Sequence, residues 1–212
     1  MIFYANTVIE GVMEARADVT TDSREQLLAE AYCLRAFVHF DLINLYAKWY
    51  DPATAATDKA VPLSLKIDIG QSFIPTTVEK VYEQVFADLQ EAEKYMQVEQ
   101  QTGAYLYRFS KKALKAFQAR VYLYHQDWKQ AQETAESLLA ACPLEDLTTT
   151  EAQPWTYTSK EAILALETVS STVMKEDMYV LDNISGKFNQ IKEGDEYVDA
   201  RLGNYLVDKY LS

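Results

Sequence analysis

A chain of 212 residues, 49% hydrophobic and 25% charged, has ordinary globular composition, which argues against disorder and allows one sizeable core or two small ones. Its formal net charge of −12 and pI near 4.6 argue against nucleic acid and anionic membrane surfaces as partners, since both demand a basic face. Six glycines suit helices better than hairpins, and fifteen tyrosines offer apolar bodies with polar tips, for helix packing or for wet binding surfaces. Two cysteines, Cys33 and Cys142, form no Cys-x-x-Cys pair, and His39 and His125 stand far apart, so no metal or cofactor is expected. No apolar run reaches the roughly 18 residues of a membrane span. Met1-Ile2-Phe3-Tyr4 opens the chain without the basic start of a secretory signal.

Residues 2 to 17 predict a first helix, with Ile2, Ala5, Ile9, Val12 and Met13 on one side. After a short connection, Asp22-Ser23-Arg24-Glu25 reads as a capping box in which Asp22 takes the amide of Glu25. The stretch from Leu27 to Tyr50 is the expected centre of the core. Leu27, Ala31, Leu34, Val38, Leu42 and Leu45 recur at helical steps, and Phe37, Phe40 and Ile43 widen that face until other helices must cover it. Asp51-Pro52 is the expected stop. The shortness of the first link predicts that the two helices lie antiparallel.

Pro52, Pro62, Gly70 and Pro75 break the rhythm over residues 51 to 75, where Val61-Pro62-Leu63 reads as extended chain. A loop of that length is expected to be functional or disordered. Thr76, with Glu79, is expected to cap a third helix whose stripe is Val78, Val81, Tyr82, Val85, Leu89, Ala92 and Met96. Gln97 to Arg108 reads as polar loop. Ser110 caps a fourth helix carrying Ala113, Ala116, Phe117, Val121 and Tyr124, and Asp127 caps a fifth that runs to about Ala141. In this pair Ala119, Tyr122, Ala131, Ala135 and Pro143 fall where the tetratricopeptide repeat places its small residues, tyrosine and proline. Residues 23–50 and 76–97 read as a second, degraded copy.

Beyond Pro143 the pattern changes. Ala162 to Leu166 fits a short strand or a helical turn, 168 to 194 shows no period, and Asp195 to Leu211 fits one more short helix. The expected class is therefore mainly all-α: tetratricopeptide-like hairpins over 1–145, with an inserted loop at 51–75. An irregular segment follows over 146–212, with a little strand, and reads as the start of a truncated lobe.

Several stretches resemble one family. Asn6, Leu28-Ala29-Glu30-Ala31-Tyr32-Cys33-Leu34-Arg35-Ala36-Phe37, Phe40-Asp41-Leu42 and Leu45-Tyr46 resemble a segment of the SusD/RagB-like lipoproteins. Val61-Pro62-Leu63, Thr77 through Leu89, Arg108 through Ala113, Ala119 through Leu123 with Trp128, Glu161 through Leu164, and Asp199-Ala200-Arg201 follow in that family's order. Departures are Ala47-Lys48 in place of a glycine and Ala113-Leu114 in place of a double alanine; the lipidated cysteine and the distal lobe are also missing.

The resemblance implies a non-enzymatic protein of the Bacteroidetes outer-membrane surface. It would be held by a lipid anchor absent from this chain and would deliver oligosaccharide to a SusC-like TonB-dependent transporter. A peptide-binding member of the family, or a tetratricopeptide scaffold for a protein partner, are the alternatives. Weak or no ligand binding is expected of these 212 residues alone.

Binding a neutral sugar needs flat aromatic faces at the surface together with fixed polar groups. Trp49 and Tyr50, at the exit of the central helix, and Trp155 and Tyr157, after Pro154, are the candidate ligand-binding residues. The alternative for Trp49 is to cover the helix end, and for Trp155 to plug a loop onto the core. Trp128, just after a cap, reads as structural. Arg35 and Arg120, placed in apolar faces, are expected to pair with carboxylates such as Glu30 or Asp88, because an unpaired buried guanidinium is too costly. His39 reads as a satisfied core histidine. No nucleophile elbow, phosphate loop or zinc motif is present, and no catalytic residue is assigned.

Overall fold

The computed structural model describes residues 1–16, 23–68, 70, 72–142, 144 and 159–165 in full, with the backbone of 179–181 and 188–190. The chain divides into two compact units, Met1–Leu166 and Glu167–Ser212. The first is helical, with α1 (Ile2–Gly11), α2 (Arg24–Tyr46), α3 (Val78–Tyr95), α4 (Lys111–Tyr124), α5 (Trp128–Leu139) and one 3-10 turn at Gly103–Tyr105. The second holds an antiparallel pair, β1 (Tyr179–Leu181) with β2 (Phe188–Gln190), in which Val180 faces Asn189.

Capping chemistry sets the helix starts, though two caps differ from the sequence expectation. Ser23, not Asp22, caps α2 by accepting from the amide of Gln26. Gln26 cannot reach back as the acid of a box would, because its side chain is engaged elsewhere. Thr77, not Thr76, caps α3, since the carbonyl of Thr76 is taken by the amide of Ala60. The amides of Val78 and Glu79 donate to the carbonyls of Asp58 and Ala55, so the preceding loop satisfies donors that a helix start leaves open. Ser110 and Asp127 cap α4 and α5 as expected.

Two helices end early. α1 stops at Gly11 rather than near 17, and Arg24 donates to the carbonyls of Met13 and Ala15 just beyond. α2 stops at Tyr46, before Asp51-Pro52, with Ala47 extended. Proline does not end it. The chain departs because Tyr50 is drawn against Tyr82 and His125, which a continued helix would prevent.

Contacts along α2 give the packing order. Arg24 reaches Met13 while Arg35 reaches Asn6, so α1 runs antiparallel to α2. Gln26 meets Gln97, Arg35 meets Asp88 and Phe40 meets Tyr82, so α3 is antiparallel on the other side. α4 contributes Phe117, packed on Phe37 and Phe40, and Tyr122, stacked on Phe86. The core lies where these meet: Ala29, Cys33, Ala36, Phe40 and Ile43 of α2, the predicted α3 stripe, and Ala113, Leu114, Phe117 and Val121 of α4. The predicted α2 face needs correction. Leu27, Leu34, Val38 and Leu42 are only half-buried and Leu45 is 73% exposed, whereas the buried face carries the polar Gln26, Arg35 and His39.

Those polar residues have partners. The Arg35 guanidinium donates to both Asp88 oxygens, from Nε at 2.8 Å and Nη2 at 2.6 Å, in bidentate geometry. Its Nη1 donates to Asn6 Oδ1 at 3.0 Å and to the carbonyl of Leu65 at 3.3 Å. Asn6 Nδ2 donates to the carbonyls of Ser64 and Lys66, and Gln84 donates to Asp88. His39 is a satisfied core histidine: Nε2 takes the Ser64 amide proton, so Nδ1 carries hydrogen and donates to the carbonyl of Arg35. The long loop is thereby pinned at residues 64 to 66. Glu30, the other carboxylate offered to Arg35, instead holds Arg108, while Arg120 is exposed, contrary to the sequence expectation.

A second polar contact closes residues 96–110 onto α2. Gln26 Oε1 accepts from the amides of Gln97 and Val98, and its Nε2 donates to the carbonyl of Phe109.

Removing one partner of the buried ion pair strands the other. Asp88→Asn or Arg35→Ala is expected to lower unfolding free energy by about 3–5 kcal/mol, while the paired change Arg35→Met with Asp88→Leu recovers most of that loss. Urea unfolding followed by circular dichroism checks both. A single substitution costing under about 1 kcal/mol contradicts the role given to the pair.

Candidate ligand-binding surface

Where α2 exits, the two adjacent aromatic residues have opposite fates. Trp49 is 86% exposed and covers nothing, so the helix-end cover falls to its neighbour. The half-buried Tyr50 ring lies 4.0 Å from the His125 ring at 37° and 5.2 Å edge-on from Tyr82. His125 in turn packs against Tyr82 and edge-on against Phe86, and Phe86 stacks on Tyr122 at 5.1 Å. This aromatic seam joins the α2 exit to α3 and to the turn between α4 and α5.

That turn contributes one more bond. Gln126 Nε2 donates to the Tyr50 carbonyl at 2.6 Å, and Gln126 itself sits at φ +64°, in the left-handed region. On the other side of Trp49, Lys48 pairs with Asp58, whose second oxygen accepts from Thr54. These two hydrogen bonds, first from Lys48 and then from Thr54, hold the Asp58 carboxyl below its ordinary range.

Burial raises the Tyr50 hydroxyl, helped by Glu79 and Glu83, and takes Tyr82 to about 12, with Tyr124 and Tyr50 adding to it. Both remain neutral phenols at physiological pH. Burial lowers His125 against the opposing pull of Asp127, and lowers His39 against Asp88. Burial also pushes the Cys33 thiol well up, which suits a small core hydrophobe.

Trp155 and Tyr157, the other two candidates, lie outside the described residues. Trp128 opens α5 as expected, yet it is 61% exposed. Tyr46, in the last turn of α2, is also exposed, although helical spacing places it in an apolar segment. Its only sequence signal is proximity to the helix end. Among the described residues no group of three or more His, Cys, Asp or Glu is placed to hold a metal, and no helix is long and apolar enough to cross a membrane. The surface offers an indole face, neutral phenols and amides, which are suited to stacking and hydrogen bonding.

Residues 1–123 match a SusD-like family model described as "Starch-binding associating with outer membrane". The chain belongs to the SusD-like family. A SusD-like protein of Formosa agariphila is 32% identical over 145 residues, covering 66% of this chain and 25% of its own length. A SusD superfamily structure from Bacteroides fragilis superposes with a TM-score of 0.60 at 26% identity, over 77% of this chain and 37% of that one. A laminarin-binding SusD-like protein shares the fold, with a TM-score of 0.55 at 23% identity over 69% of this chain and 29% of that one. The chain thus spans between a quarter and two fifths of the relatives it matches. These SusD-like matches indicate no enzyme family.

Burial holds both imidazoles below their ordinary range because it disfavours the charged form. The unfolded chain takes up these protons near pH 6.5, so stability from these two groups is complete above that pH and is lost as pH falls below it. Urea midpoints are expected to drop between pH 7.5 and 5.5. The drop should be smaller in His125→Phe, which keeps the ring contact without the titration. Equal slopes in the parent and this variant would remove His125 from the account.

Proposed function

We propose that this chain forms the helical part of a non-enzymatic glycan-binding protein of the outer-membrane surface, which passes its ligand to a SusC-like TonB-dependent transporter. Membership of a family described as starch-binding supports the ligand class. The observation that carries the reading to this chain's own residues is Trp49, whose indole stands in solvent beside a rigid aromatic seam. A sugar ring presents a flat apolar face that such an indole can cover, while nearby hydroxyls and amides take its polar rim.

In this reading residues 1–145 are the core that positions the platform, with 51–75 as an inserted loop, and Trp155 and Tyr157 of the segment 146–212 add to the ligand surface. Tyr50 acts mainly by supporting Trp49. A lipid anchor on the full-length protein would hold it at the membrane.

Affinity electrophoresis through gels containing laminarin or starch tests this with the full-length protein. Retardation by at least one of them is expected, and Trp49→Ala is expected to weaken it about fivefold, the worth of one aromatic stacking contact. Absence of retardation in either gel, with capture of a peptide library instead, would replace glycan by peptide.

A further inference from the structure

We infer that the turn joining α4 to α5 positions Trp49, with Gln126 and His125 clamping Tyr50 so that the neighbouring indole is held outward. The inference rests on the glycan reading for its ligand, but the clamp itself does not need one.

Trp49 has little of its own to hold it, being 86% exposed on a stretch that has left the helix. Its orientation must come from its neighbours. Beyond Ala47 the chain has left the helix, with Trp49 exposed and the neighbouring Tyr50 half-buried. The Tyr50 ring is seated against His125 and Tyr82, which anchors the backbone next to the outward Trp49. The Lys48–Asp58 pair ties down the residue on its other side. Tyr50 is fixed at two points: its ring by His125, and its carbonyl by Gln126 Nε2.

The side chain found at position 126 is the second argument. A residue with a Cβ is disfavoured at φ +64°, where glycine is at ease. What glutamine has and glycine lacks is the amide that reaches Tyr50. The left-handed φ itself belongs to the helix end, where the Gln126 amide donates to the Leu123 carbonyl and the Asp127 amide to that of Tyr122 as in a Schellman turn, so the clamp rests on the side-chain bond and not on strain.

The variant Gln126→Gly suits the turn and removes only the amide arm of the clamp, leaving the His125 ring contact in place. In these 212 residues carrying Trp128→Phe and Trp155→Phe, Trp49 is the single tryptophan and is excited selectively at the red edge, apart from the tyrosines. The expected result is lower Trp49 anisotropy and faster acrylamide quenching, with an unfolding midpoint unchanged or raised. Laminarin affinity of the full-length protein with its tryptophans intact should fall about twofold, less than with Trp49→Ala, because a loosened indole must be ordered again on binding. Gln126→Asn, which tolerates the left-handed region but whose amide is one methylene short, should act in the same way.

Unchanged anisotropy in both variants overturns the inference, whatever happens to affinity. Lower anisotropy in a protein whose parent binds neither laminarin nor starch upholds the clamp and rejects the glycan reading, so the two ideas fail separately.

Discussion

A guanidinium cannot be buried without acceptors, and Arg35 sits in the middle of α2 with its side chain almost wholly out of water. Its fork is filled by Asp88 of α3, Asn6 of α1 and the carbonyl of Leu65 in the long loop. Each acceptor comes from a different segment, so these segments must assemble together for any of them to be satisfied. The pair adds modestly to net stability against an apolar replacement. Its main effect is on specificity: it sets which turn of α3 faces which turn of α2, and where the loop crosses.

The same node accounts for part of the family resemblance. Asn6, the Leu34-Arg35-Ala36 triplet, Asp88 and the chain just after Val61-Pro62-Leu63 are far apart in sequence and adjacent in the fold. Ala29, Cys33 and Ala36 are small because α3 lies close against them, and Val81, Val85 and Leu89 fill the seam. These residues make the scaffold. They are not among the residues packed on Tyr50, so this part of the resemblance belongs to the core.

The loop over 51–75 shows how length alone misleads. Its described part is anchored twice: at its start by carbonyls that cap α3, and further on by Asn6, Arg35 and His39. That ordering carries through to the surface, since Lys48 and Tyr50, on either side of Trp49, are tied to Asp58 and to the α4–α5 turn. The exposed indole thus stands on a frame made rigid by buried polar bonds some distance away.

Periodicity and caps, which are local, determined the helices, the α3 stripe, the Ser110 and Asp127 starts and the antiparallel α1–α2 pair. The need to satisfy a buried charge likewise put Asp88 among the partners of Arg35. What remained hidden depends on residues distant in the chain. The inner face of α2 follows its polar members because their partners lie in α1, α3 and two loops, which no helical wheel contains. Trp49 and Tyr50 are neighbours of similar chemistry, and only the approach of His125 and Gln126, brought by the fold to the α2 exit, decides that one ring goes inward and the other meets solvent.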